Sequence, residues 1–270
     1  MTDFNLLAEK AKWIRRKTLE VHQIAPETRV ASSLSCVEIF AVLYYGQILK
    51  YNSKDIFWSD RDRVIISKGH GAISLYPVLA DLGFFEMGEL DRVCKKDSFL
   101  GAIPDVIIPG FETTNGSLGN GLGVACGMAL ALKRRKRNEK VFVMLGDGEL
   151  NEGAVWEALM FAGEHNLSNL IAIVDHNKIA MLDYCENIID MRPLERKFEV
   201  FNWNVEKADG HDIRQLHSVF EGFLEQNNDS PKMLIADTVK GKGVPSLEGD
   251  SLCHIRSLDA NAMISAINGL

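Results

Sequence analysis

The chain has 270 residues, 46% of them hydrophobic and 25% charged, with a net charge of −7; that is an ordinary globular composition with ample length for a core, and its acidity argues against nucleic acid or an anionic membrane as the main partner. Five scattered cysteines without a Cys-x-x-Cys pair fit a reducing compartment and the expectation of no zinc site. No secretory leader is expected from the charged N-terminus, no apolar run approaches the ~20 residues that span a membrane, and the expected location is the cytoplasm.

Apolar positions at helical spacing (Phe4, Leu7, Ala11, Ile14, Val21) predict a helix over residues 3–22. A loop is expected from Ala25 to Ser33, after which Ser35 and Glu38 read as a capping box opening a helix through Tyr44. Arg63–Ser67 reads as a short strand, Gly71–Leu82 and Met87–Lys95 as helices, and Asp97–Thr114 as a long loop of the kind that often carries function. Ser117–Lys136 reads as a helix rich in small residues. Its closing basic run, Lys133–Arg137, is taken as a solvated end that complements the helix dipole.

Val141–Leu145 is an unbroken apolar strand, followed by Gly146-Asp147-Gly148-Glu149-Leu150-Asn151-Glu152-Gly153 and a helix from Ala154 to Glu164. Leu170–Val174 is a second buried strand with Asn177 just beyond it; Asn202–Ala208 and Lys232–Val239 follow as strands around a helix from Asp212 to about Gln226. The tail Lys242–Ser257 reads as a loop over the site. Strand and helix alternating at this rhythm mean an α/β fold, a doubly wound, mostly parallel sheet with helices on both faces. No repeat or second-domain boundary is visible, so one domain over residues 1–270 is expected.

A strand ending in Gly-Asp-Gly places a carboxylate at the carboxyl edge of such a sheet, where ligands bind. The glycines let backbone approach a phosphate, and the following helix N-terminus favours anionic charge. A parallel neighbouring strand would bring Asn177 beside Asp147, and an Asp, an Asn, a main-chain carbonyl and diphosphate oxygens make the hard oxygen shell that Mg²⁺ prefers.

Gly-Asp-Gly with Asn177 thirty residues on resembles the thiamine diphosphate-binding motif. Asp62–His70, Gly116–Gly121, Leu145–Gly153 and Asp175–Ile179 narrow the resemblance to transketolases, over about residues 10–260. The resemblance implies that Asp147, Asn177 and the Ile179 carbonyl ligate Mg²⁺, with Ca²⁺ or Mn²⁺ substituting. It implies that Gly116, Leu118 and Gly148 contact the cofactor, that His70 and His254 are catalytic, with His70 also at the diphosphate, and that Glu152 lies at a subunit interface near the cofactor. Imidazole suits such work because its ordinary pKa lies near working pH.

In this family a glutamate from a second, pyrimidine-binding domain activates the cofactor across a dimer interface, and nothing after Val239 could encode that domain. The expectation is therefore the N-terminal subunit of a split transketolase-like enzyme, active only with a separate C-terminal, pyrimidine-domain subunit in an α2β2 assembly. It would transfer a two-carbon ketol or related acyl unit from a ketose phosphate or 2-oxo acid donor. Alternatives are a decarboxylating 2-oxo acid ligase or acyltransferase subunit, or a diverged non-catalytic partner. Two departures bear on the donor: Arg29 and Ile103 stand where the family carries histidines, with His22 a candidate to fill a vacated place.

Overall fold

The structure is a computed structural model that describes residues 2–226 and 228–270. Five strands form its sheet: β1 (Arg63–Ile66), β2 (Val141–Gly146), β3 (Leu170–His176), β4 (Asn204–Asp209) and β5 (Lys232–Asp237). All pairings are parallel, in the order β1-β2-β3-β5-β4. β2 and β3 run without a polar break because both of their faces are covered, the usual mark of a parallel strand. Their side chains alternate between two cores. Phe142, Met144, Ile171 and Ile173 face one side; Val141, Val143, Leu145, Leu170, Ala172 and Val174 face the other.

On the first face lie α1 (Phe4–Ile24), α3 (Val37–Tyr45), α4 (Leu75–Asp81) and α9 (Ile213–Glu225). On the second lie α5 (Asn120–Arg134), α6 (Gly153–Glu164) and α8 (Leu194–Glu199). A third apolar cluster joins α1 and the short α2 (Val30–Leu34) to the C-terminal loop and α10 (Ala260–Asn268), through Leu19, Leu34, Val244, Cys253 and Met263. The remaining helix, α7 (Cys185–Ile188), is a single turn. Asp3 and Asp212 cap α1 and α9, each accepting two backbone N–H groups.

Several sequence expectations need correction. Ser35 does not cap α3, because the chain is already helical through α2 and Ser35 closes that element. Its hydroxyl goes to Ser32 O and the Asp175 carboxylate, while Glu38 pairs with Arg15 and His211. The segment from Gly71 begins as a 3₁₀ turn, Gly69–Ser74, before α4, and Met87–Arg92 is only a short 3₁₀ turn. Among the described residues no helix is long and apolar enough to cross a membrane, and all five cysteines are free.

His22, a candidate by position to replace a lost site histidine, instead lies buried in α1. The Thr28 hydroxyl donates to Ala25 O, so His22 must donate through Nδ1–H to Thr28 Oγ1 at 2.8 Å, and its Nε2 is buried without a partner. Burial lowers its pKa from 6.5 to about 4 against the opposing pull of Glu27. The unfolded chain therefore takes up a proton near its ordinary pKa while the folded chain does not until about 4, so folding loses stability as pH falls through that window. Urea midpoints measured at a series of pH values should show a slope that His22→Leu flattens, by up to about 1.4 kcal/mol per pH unit.

Candidate active site

Four neighbouring strands deliver polar residues to one edge of the sheet. Ser67-Lys68-Gly69-His70 follows β1, Asp147 and Gly148 follow β2, Asn177 and Ile179 follow β3, and Thr238 and Lys240 follow β5. The β2–β3 register, Gly146 opposite Asp175, brings the two turns level. They enclose a cavity of about 430 Å³ that is lined by His70, Asp147, Gly148, Ile179, Lys240 and, from the C-terminal loop, His254. Gly116 and Leu118, from the end of the long loop, complete that wall, and Arg29 and Ile103 face the same space. Asn177 sits behind the wall, and Glu152 stands exposed at the start of α6. A second cavity, of about 290 Å³, lies on the other side of Asp147 against Tyr184 and Cys185.

Asp147 accepts the N–H of Gly148 on Oδ1 and that of Lys178 on Oδ2. Burial, then the nearby Asp175 charge, raises its pKa above the usual carboxylate range. Such a carboxylate would be relieved by a cation. Asn177 Oδ1 accepts Ile179 N at 3.2 Å, and the Ile179 carbonyl accepts the Lys240 ammonium at 2.7 Å. A carboxylate, an amide and a carbonyl thus meet one three-residue turn, and a positive charge already rests on one of them. The donor set is hard oxygen throughout. Among the described residues no three His, Cys, Asp or Glu side chains cluster as a metal cage.

His70 and His254 stand edge to face, ring centroids 5.0 Å apart. Both depart from the expectation of titration near working pH. Burial, with Lys68 and His254 beside it, takes His70 down to about 2; burial, with Lys240 and Arg29, takes His254 to about 4. They are neutral imidazoles, and His254 Nδ1 lies 3.2 Å from the Ser32 hydroxyl.

The domain family described as "Transketolase, thiamine diphosphate binding domain" matches residues 8–268. The chain belongs to the transketolase family. It is 36% identical over 262 residues to the 6-deoxy-6-sulfo-D-fructose transketolase subunit SqwG of a Clostridium species, covering 97% of this chain and 94% of that one. It is 38% identical over 260 residues to one subunit of the apulose-4-phosphate transketolase of Actinobacillus succinogenes, covering 94% and 93%. The transketolase structure from Campylobacter jejuni superposes with a TM-score of 0.87 at 26% identity over 99% of this chain, but only 47% of that longer one. The protein is thus the N-terminal subunit type of a thiamine diphosphate-dependent, transketolase-like transferase, and such subunits imply a partner subunit.

Within this transketolase fold the structure adds residues that sequence reasoning passed over. Glu149 is 2% exposed and accepts the Ser67 hydroxyl, Gly119 N at 2.8 Å and Gly146 N at 3.1 Å. One carboxylate so ties the β1 turn, the Gly116–Gly119 loop and the β2 turn together. Gly119 permits it: its φ is +85°, and a Cβ there would stand 2.7 Å from the Glu152 Cβ. Lys68, Asp175 and Lys240 are also buried charges at this edge. The available signal was a charge interrupting an apolar run, as Asp175 does after Leu170–Val174, since a buried charge requires a partner.

Glu149→Ala leaves three donors without their acceptor, each worth about 1–3 kcal/mol when buried. Chemical denaturation should show a loss of several kcal/mol, on the order of 3, and hydrogen exchange at Gly119 and Gly146 should quicken more than in the strand centres.

Proposed function

We propose that this chain anchors the diphosphate of thiamine diphosphate, through Mg²⁺, in a two-subunit enzyme that transfers a two-carbon ketol unit from an anionic ketose. The observation that carries the proposal is the convergence of Asp147, Asn177 and Ile179 on one turn, beside a cavity walled by His70 and His254. Asp147, Asn177 Oδ1 and the Ile179 carbonyl would hold Mg²⁺, or Ca²⁺ or Mn²⁺ in its place, with Lys240 yielding the carbonyl. Gly116, Leu118 and the backbone at Gly148 would line the diphosphate. When bound, thiamine diphosphate supplies the carbon nucleophile and the electron sink for breaking a C–C bond beside a carbonyl.

The chain's own residues orient and enclose. His70 and His254, both neutral, can each donate one hydrogen bond and accept another, which suits holding a donor's hydroxyl or carbonyl oxygen. Three carboxylates line the cavity: Asp147 and Glu149 are tied to backbone amides, and Glu27 lies exposed. None is free in the interior to activate the pyrimidine ring. That acid is assigned to a partner, a C-terminal subunit with a pyrimidine domain, which would also cover Glu152, in an α2β2 assembly of the closed two-fold kind. Both relatives named above act, by their names, on anionic ketoses, which supports an anionic ketose here.

A second reading has its own observation. Arg29 takes no ion pair among the described residues, and Ile103 offers no hydrogen bond where both face the cavity. A guanidinium forks a carboxylate well, and an apolar wall leaves a donor hydroxyl unpaired. Both features favour a 2-oxo acid over a hydroxylated donor.

Three measurements test these readings. Asp147→Ala should abolish thiamine diphosphate and Mg²⁺ binding by calorimetry with the circular dichroism of the fold retained; unchanged cofactor affinity would remove the site. The purified chain should show no turnover alone and gain it on co-expression with its pyrimidine-domain partner, with a mass consistent with two copies of each. In that complex, kcat/KM for ketose phosphates should exceed that for pyruvate-like donors by tenfold or more, about 1.4 kcal/mol. The reverse order, abolished by Arg29→His, selects the 2-oxo acid.

A further inference from the structure

Asp175 is fully buried at the end of β3 and carries no assigned role. Five side chains donate to it: the Lys68 ammonium, the Ser35 hydroxyl at 2.7 Å, the Thr238 hydroxyl, the Asn177 amide nitrogen at 2.9 Å and the Cys36 thiol at 3.5 Å. Its ion pair with Lys68 is buried on both sides. A carboxylate paired with a buried ammonium only accepts. The Asn177 side chain can therefore meet it only through its NH₂ end, and chemistry settles an orientation that shape alone leaves ambiguous. The amide oxygen must then point the other way, where it meets Ile179 N. On that turn Asp147 Oδ2 accepts Lys178 N.

We infer that Asp175 is the positioning residue of the metal site, forcing Asn177 to present its oxygen, rather than its NH₂, to the cation before any cation arrives. The inference rests on the metal reading above. A flipped amide would aim two N–H donors at a divalent ion. The same carboxylate holds Lys68, whose ammonium also donates to Ser32 O at 3.0 Å, and the Ser32 hydroxyl faces His254. One buried charge thus sets the geometry on both the metal side and the histidine side of the cavity.

The test is Mn²⁺ affinity, read by electron paramagnetic resonance on the complete two-subunit enzyme saturated with thiamine diphosphate. Asn177→Ala should weaken Mn²⁺ by about tenfold or more, the usual scale for losing a ligand or its support; if it does not, the metal reading itself fails.

The double variant Asp175→Leu, Lys68→Met removes the carboxylate together with its counter-ion, and affinity should fall about tenfold or more. Adding Asn177→Asp to it should restore binding, because a carboxylate offers oxygen whichever way it turns. General damage to the fold would not be repaired by that change. Full affinity in the double variant, or a loss that Asn177→Asp does not recover, overturns the inference. A measurement on the unaltered, metal-free chain needs no variant. The Asn177 side-chain NH₂ should exchange with deuterium clearly more slowly than that of exposed Asn187, and equal rates would overturn the inference as well.

Discussion

The site depends on one ion pair that never sees water, Lys68 with Asp175. Taking two charges out of solvent is costly, and only further hydrogen bonds make the arrangement tolerable. Those bonds come from the α2–α3 corner through Ser35, from β5 through Thr238 and from the turn after β3 through Asn177. Losing either charge would leave the other unanswered, at about 3–5 kcal/mol, a large part of the 5–15 kcal/mol that typically holds a protein folded. The same pair that the sheet must satisfy in order to exist therefore fixes the edge on which chemistry can occur.

Above that pair the sheet leaves little choice about where polar groups go. Its central strands are covered on both faces, so side chains along β2 and β3 alternate between two apolar cores until the strands end. Polarity begins abruptly at Gly146 and Asp175, which are register partners. The loops beyond them are tied by buried charged groups as well as packed through Leu150 and Ile179. Glu149 gathers three of them, and Lys240 joins the β5 side to the turn at Ile179 and Ala180.

Much of this was legible in the sequence because the signals were local and strong. β2 and β3 are continuous β-branched or apolar runs, Gly-Asp-Gly marks a strand-to-helix turn, and the helices α1, α5, α6 and α9 carry clear periodicity. The misreadings share a cause: tertiary demands overrode local chemistry. Ser35 and Glu38 have the spacing of a capping box, yet each is drawn away by a buried charge, Asp175 in one case and Arg15 in the other. α2, α7, α8 and α10 went unseen because pieces of four to nine residues carry too few apolar positions to show a period. The titration state of His70 and His254 was also beyond reach, since it depends on how deeply the folded chain buries them and on Lys68 and Lys240 nearby.

Two imidazoles that stay uncharged contribute nothing to the cavity's electric field as the surroundings acidify. With Lys68 answered by Asp175, the positive potential comes from Arg29 and from Lys240, which burial and Lys68 take down only to about 8. From mildly acidic to neutral conditions these groups hold their states, and the cavity groups left to move with pH are the carboxylates Asp147 and Glu149, whose pKa values burial raises. An anion in this pocket would be drawn by cations that do not switch and shaped by imidazoles that do not ionise, so attraction and recognition fall to different side chains.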